Sequence, residues 1–140
     1  MSYTKCTETV SFKEVVVSEN KRKFKVVNPR GIAVSKTRVD DCLISGNDVK
    51  KCDWLISIED PEPIAHLIEL KGCDIDRAIE QLSSTLKLLP AHLQEYKKKC
   101  YAVTKMIPKH GPALDKKKRQ FQKRNSVVLS VKNNEIKVHV

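Results

Sequence analysis

Two stretches of the sequence decide the fold: residues 51–58 (KCDWLISI) and residues 64–71 (IAHLIELK). Both are short and rich in apolar residues, and the turn at residues 60–63 (DPEP) separates them. Pro and Asp clusters of this kind end regular elements, so the pattern predicts two strands joined by a turn. The high density of apolar residues in the second stretch is typical of a strand at the centre of a sheet.

The chain before this pair also predicts strands. Residues 11–18 (SFKEVVVS) and 23–27 (KFKVV) flank a polar turn, which indicates a β-hairpin within residues 10–28. A third extended run covers residues 38–44 (RVDDCLI) and is followed by the turn at residues 45–48.

The chain after residue 72 changes to a helical period. Asp74 is a good N-cap, and apolar residues then recur at three- and four-residue steps in a helix expected to end near Pro90: Ile75, Ala78, Ile79, Leu82, Leu86 and Leu89. Beyond it the sequence predicts a short helical turn within 91–99 and a strand at 101–107. It then predicts a basic helix from Pro112 to Arg124 and a hairpin of residues 126–131 and 135–140. We therefore expect a single α/β (α+β) domain over residues 1–140, with a central mixed β-sheet flanked by helices.

The composition agrees with one globular domain and indicates an anionic partner. The chain has 140 residues with 27 Lys and Arg against 17 Asp and Glu, a formal net charge of +10. A hydrophobic fraction of 40% argues against disorder. No apolar run approaches the ~20 residues of a membrane span, and residues 1–17 are not patterned as a signal peptide. We expect no membrane association and a cytoplasmic location.

The five cysteines do not form a metal-binding pattern. Their number is odd and none is spaced as C-x-x-C: Cys6, Cys42, Cys52, Cys73 and Cys100. We therefore expect reduced, mostly buried thiols, as is usual for a cytosolic protein.

One acid-x-Lys triplet stands out from the six in the sequence. Glu69-Leu70-Lys71 is the only one in an apolar strand that follows another acid-bearing strand and precedes a helix. Residues i and i+2 of a strand share a face, so Glu69 and Lys71 should project together. Asp53 lies on the neighbouring predicted strand. Two adjacent carboxylates are suitable ligands for a hard divalent cation, Mg²⁺ or Mn²⁺, with water and a phosphate completing its shell.

In this order, residues 51–56 (KCDWLI) and 68–72 (IELKG) resemble the PD-(D/E)xK nuclease superfamily, which includes restriction endonucleases, Holliday-junction resolvases and repair nucleases. The resemblance implies a helix–strand–strand–strand–helix–strand core over about residues 38–107, although the sequence does not reveal the opening helix. It also implies that Asp53 and Glu69 bind metal, that Lys71 is the catalytic lysine and that Gln81 supports the site.

The chain departs from the superfamily pattern at two positions. Thr85 replaces a tyrosine often found four positions after the glutamine, and Cys52 replaces the nominal proline. Asp40 is a candidate for a further metal ligand, and the alternative interpretation is a carboxylate at a turn or strand edge. Gln81 could likewise be an exposed helical residue.

The expected function is therefore Mg²⁺-dependent hydrolysis of phosphodiester bonds, with DNA as the substrate. The expected enzyme is an endonuclease of restriction, repair or junction-resolving type. Six basic residues are candidates for phosphate contact: Lys116, Lys117, Lys118, Arg119, Lys123 and Arg124. A homodimer would supply two sites if both strands of a duplex are cut. Three alternatives stay open: a solvated strand face with a cross-strand ion pair, a basic helix that is merely solvated, and a catalytically inactive member of the same fold that binds nucleic acid or protein.

Overall fold

The computed structural model describes residues 3–44, 46, 49–70, 74–105 and 112–140. These residues form three α-helices, nine strands and one 3₁₀ turn at Ala91–Leu93. In chain order the elements are α1 (Tyr3–Cys6), β1 (Thr7–Val10), β2 (Glu14–Glu19), β3 (Arg22–Val27), β4 (Val34–Arg38), β5 (Trp54–Ile58), β6 (Ile64–Glu69), α2 (Ile75–Lys87), β7 (Lys97–Thr104), α3 (Pro112–Asn125), β8 (Val128–Asn133) and β9 (Glu135–His139).

The strands form two sheets. The larger has six strands in the order β1-β4-β5-β6-β7-β8, and the smaller has three in the order β2-β3-β9. In the larger sheet the pairs from β1 to β6 are antiparallel, whereas β7 and β8 run parallel to β6. The predicted mixed sheet and α+β class are therefore confirmed.

The larger sheet is the middle of three layers. Leu55 and Leu67 point from it into a core shared with the helices, while Ile56 and Ile68 point into a core shared with the small sheet. This alternation along adjacent strands explains their nearly continuous apolar sequence, because both faces are covered. Helices thus cover one face of the sheet, and a second sheet, which the sequence did not predict, covers the other.

The predicted amino-terminal hairpin is confirmed as β2 and β3. Glu19 pairs with Arg22 across a two-residue turn. Both turn residues have positive φ angles, 49° for Asn20 and 67° for Lys21, as in the type I′ turns that match the twist of a hairpin.

Both long helices are also confirmed. The Asp74 side chain caps α2 by accepting from the backbone N–H groups of Asp76 and Arg77. The helix ends at Lys87, slightly before the predicted stop. Pro112 is the first residue of α3, where its missing N–H costs nothing. None of the described helices is long and apolar enough to cross a membrane.

Two strand predictions were wrong. The strand expected at 38–44 lies earlier, at Val34–Arg38, and the chain then turns through Asp41, whose φ is +60°. The predicted carboxyl-terminal hairpin does not form, because β8 pairs with β7 and β9 pairs with β3. Asn134, with φ +64°, turns the chain from one sheet to the other.

The segment after α2 also differs from the prediction. The helical turn within 91–99 is confined to Ala91–Leu93, and β7 begins at Lys97 rather than at residue 101. The predicted end of that strand, residues 106–107, lies outside the described residues.

The prediction of reduced thiols was wrong for two of the cysteines. Cys6, at the end of α1, forms a disulfide with Cys42, which follows β4. The two residues are 36 positions apart, so no local spacing signals the bond. Cys52 and Cys100 are buried free thiols, as expected, and Cys73 lies outside the described residues.

Candidate active site

Asp53 and Glu69 are brought together at the ends of two paired strands. Trp54 pairs with Ile68, and the backbone N–H of Asp53 donates to the Ile68 carbonyl at 3.1 Å, which sets Asp53 opposite Glu69. Each lies two positions from a leucine that faces the helices, so both carboxylates project to the helical side of the sheet. Both are buried, with exposed fractions of 4% and 1%.

Leu70, the residue between Glu69 and Lys71, is held from two directions. Its N–H donates to Asp53 Oδ2 at 2.7 Å. Its carbonyl accepts from Arg22 Nη1 at 2.9 Å. Arg22 is buried and belongs to β3, so the small sheet helps to position the acid-x-Lys segment. Lys71 itself lies outside the described residues.

The pKa of the Cys52 thiol is affected by the two carboxylates. Burial raises its pKa to about 12; the hydrogen bond with Thr85 opposes that shift, and the charges of Glu69 and Asp53 add to it. The thiol is therefore protonated at neutral pH. The backbone N–H of Cys52 donates to Thr85 Oγ1 at 2.9 Å. Thr85 thus anchors the segment before Asp53.

Asp53 opens into an acid-rich cleft of about 810 Å³, which we call the acidic cleft. Asp40 and Gln81 line it too, so three of the predicted site residues share one depression. Glu69 is buried and is not among the residues that line it. Of the charged residues that line the cleft, six are acidic and three are basic: Asp40, Asp41, Asp53, Asp74, Asp76 and Glu80, with Lys50, Lys51 and Arg77.

Two lysines of the acidic cleft were missed by the sequence reasoning. Lys51 is buried, donates to the Gly46 carbonyl and lies 3.9 Å from Asp40 Oδ1. Lys50 forms an ion pair with Glu80 of α2. Lys51 lies two positions before Asp53, and that i, i−2 spacing in an extended segment could have identified it.

The donor set suits Mg²⁺ better than a metal that needs a protein cage. Among the described residues no group of three or more His, Cys, Asp or Glu is close enough to hold an ion. Asp40 lines the same cleft as Asp53, and its role as a further metal ligand stays a prediction. Mg²⁺ is commonly held by one or two carboxylates together with water and substrate phosphate, and Asp53 with Glu69 fits that pattern.

The predicted phosphate-binding residues lie on α3. Lys117 forms a 2.9 Å ion pair with Asp76 at the rim of the acidic cleft. Four of the six are exposed, and Lys117 and Lys118 are half-buried. Their contact with phosphate stays a prediction.

No protein-family model, curated protein or solved structure matches this chain. The function must therefore be argued from the site itself.

Proposed function

We propose that this protein is a Mg²⁺-dependent nuclease of the PD-(D/E)xK type that hydrolyses phosphodiester bonds, with DNA as its substrate. One observation carries the proposal. Asp53 and Glu69 stand in register at the ends of β5 and β6, buried on the helical side of the sheet, where Asp53 opens into the acidic cleft. Two carboxylates held side by side at a cleft have an evident use as ligands of a divalent cation.

The order of the elements supports the same proposal. Three antiparallel strands, β4, β5 and β6, are followed by α2 and then by β7, which is parallel to β6. This is the strand–strand–strand–helix–strand order of that superfamily. The four-residue α1 lies further upstream, with β1, β2 and β3 between it and β4.

The residues of the chain would divide the chemistry as follows. Mg²⁺ bound by Asp53 and Glu69 would neutralise phosphate charge and help to activate the nucleophile. The Leu70 N–H fixes the Asp53 carboxylate. Lys71, expected on the same strand face as Glu69, orients the attacking water and stabilises charge on the phosphate. Gln81 extends from α2 towards the same cleft and can hydrogen-bond to water or phosphate there.

The test is cleavage of plasmid, linear and single-stranded DNA by purified variants, with Mg²⁺ and with EDTA. Lys71→Ala and Asp53→Asn should each reduce the rate by about 100-fold or more. Asparagine keeps an oxygen for the Leu70 N–H but removes the charge, so this variant separates metal binding from folding. If Lys71→Ala nicks plasmid at the wild-type rate in Mg²⁺, the assignment is wrong.

A matched control comes from another acid-x-Lys triplet. Lys21 follows Glu19 by two positions and is exposed in the β2–β3 turn. Lys21→Ala should cleave at the wild-type rate, because it removes the same charge from a similar motif that does not line the acidic cleft. An equal loss in both lysine variants would indicate a general effect of net charge.

A catalytically inactive protein of the same fold is the second candidate. The hydrogen bond from the Leu70 N–H to Asp53 favours it, because it gives this carboxylate a structural role that needs no metal. Calorimetric titration with Mg²⁺ or Mn²⁺ separates the two candidates. Binding that disappears in Asp53→Asn and Glu69→Gln supports the nuclease, and the absence of such binding supports the inactive protein.

A further inference from the structure

A second depression runs along β7 and the edge strand β8 of the larger sheet and carries the opposite charge. This groove has a volume of about 990 Å³, and we call it the basic groove. Among the described residues that line it there are seven Lys and Arg and no Asp or Glu: Lys87, Lys97 to Lys99, Arg124, Lys132 and Lys137.

The strand directions separate the two depressions. β7 runs parallel to β6, with Lys97 beside Ile64 and Ala102 beside Glu69. The lysines that begin β7 are therefore at the end of the sheet away from the acidic residues. Helix α2 joins the two depressions, since Asp76 lines the acidic cleft and Lys87 lines the basic groove. At a rise of 1.5 Å per residue, Asp76 and Lys87 are roughly 17 Å apart along the helix.

The basic groove also contains aromatic and apolar side chains. Tyr96 and Tyr101, two of the three tyrosines in the chain, line it. Tyr101 is buried, with 5% of its surface exposed: its hydroxyl forms a 2.8 Å hydrogen bond with His66 Nδ1, and its ring packs 4.7 Å from that of Phe24. Tyr96 donates to Glu59 at 2.6 Å, and Val128 on β8 is 53% exposed.

We infer that the basic groove binds single-stranded nucleic acid, with the lysines along its phosphates and with the half-buried Tyr96 and the exposed Val128 against its bases. Cations that line a concave path beside an aromatic residue are typical of surfaces that bind single strands. In a duplex the faces of the bases are stacked on one another, so Tyr96 would have no base to pack against. A bilayer surface is too flat to fill a groove. The inference rests on the proposed function in one respect: the acidic cleft would cleave the nucleic-acid strand that the basic groove binds.

The experiment measures binding without cleavage. Fluorescence anisotropy with labelled oligo-dT and with a duplex of equal length is recorded in EDTA over a series of salt concentrations. The test variant is Lys97→Gln/Lys132→Gln/Lys137→Gln, in which all three positions are exposed. The control variant is Lys5→Gln/Lys13→Gln/Lys21→Gln, three exposed residues that do not line the basic groove and that carry the same total charge.

We expect the groove variant to bind oligo-dT at least about tenfold more weakly than wild type. The slope of log K against log salt concentration should fall in magnitude by about 2, because three phosphate contacts with a single strand are lost. The control variant should stay within about threefold of wild type. Equal losses in the two variants would overturn the inference. So would tighter binding of the duplex, of phosphatidylserine vesicles or of polyglutamate than of oligo-dT. The anisotropy is measured in EDTA, so it reports binding independently of metal-dependent cleavage. If the protein binds oligo-dT but cleaves no substrate in Mg²⁺, that result contradicts the proposed function alone.

Discussion

Both backbone polar groups of Leu70 are held by charged side chains that come from different sheets. Asp53 accepts from the N–H, and Arg22 donates to the carbonyl. Such hydrogen bonds are stronger than neutral ones, and both lie in buried surroundings. The position of Leu70, and of Glu69 beside it, therefore depends on the packing of the small sheet.

Removal of the Arg22 side chain should lower the stability of the whole domain. Arg22→Ala leaves the buried Leu70 carbonyl without this donor, so we expect a loss of about 2–3 kcal/mol in the free energy of unfolding. Urea denaturation followed by circular dichroism measures it. Lys23→Ala, at the exposed neighbouring position, should change the midpoint little, and equal effects of the two substitutions would contradict this account.

His66 should make stability depend on pH. Burial, aided by the charge of Lys99, lowers its pKa from 6.5 to about 4. Between those values the unfolded chain binds a proton that the native state does not, so stability is complete above pH 6.5 and is lost as the pH falls towards 4. The full loss from this group is about 3 kcal/mol.

Urea denaturation at pH 7 and pH 4.5 tests the prediction. The stability difference between the two pH values should be smaller in His66→Asn, which retains a polar atom near Nδ1. His139→Asn, at an exposed histidine, should behave as wild type. An unchanged pH dependence in His66→Asn would show that the imidazole is not responsible.

At the scale of elements, helix α2 links the acidic cleft to the core. Its first turn lines the cleft, while Ile75, Ala78 and Leu82 are buried against the sheet. The cap at Asp74 therefore stabilises the helix and also sets the position of the residues at its amino end.

Loss of this cap should be measurable. Asp74→Ala removes the acceptor used by the N–H groups of Asp76 and Arg77, so we expect a loss of about 1 kcal/mol. Asp74→Asn is the matched control, because asparagine caps equally well without the charge. Thermal unfolding should rank wild type and Asp74→Asn together, above Asp74→Ala. A low melting temperature in both variants would assign the effect to charge instead.

The sequence revealed elements whose signals are local. The spacing of apolar residues in α2 and the two-residue turn of the hairpin are local signals, and both elements were predicted correctly. The strand Val34–Arg38 was missed because Val34 is its only large apolar residue, whereas the apolar run at 42–44 resembled a strand although Asp41 turns the chain before it. The corner at Asn134 looked like a hairpin because its alternative partner, β3, is distant in sequence.

At the scale of the whole molecule, the disulfide ties the amino-terminal helix to the turn that carries Asp40. It closes a loop across 36 positions, and a crosslink of this length restricts the unfolded chain by about 3–4 kcal/mol. The bond thus connects the edge of the acidic cleft to the four-residue helix α1.

Reduction of this bond should destabilise the protein. We expect dithiothreitol to lower the free energy of unfolding by about 2–4 kcal/mol. In Cys6→Ala/Cys42→Ala the reductant should have no effect, and that double variant should match the reduced wild type. A reductant effect that persists in the double variant would place the sensitive thiols elsewhere.

The two charged depressions also show how far the sequence could predict the site. Asp53 and Glu69 were predicted because strand alternation and an antiparallel pair are enough to place them together. The basic groove could not be predicted in this way, because its cations come from two helices and three strands. Of the six basic residues expected to contact phosphate, only Arg124 lines it.

The pairing of β9 with β3 has a consequence for how the protein folds. Lys23 is paired with Glu135, 112 positions further along the chain, and five of the six strands of the larger sheet lie between them in sequence. Contacts of such long range raise the contact order, and high contact order slows folding. During synthesis the β2–β3 hairpin would remain with one edge unpaired until β9 left the ribosome, so the small sheet should be the last part of the domain to form and a point at which chaperone binding would protect the chain.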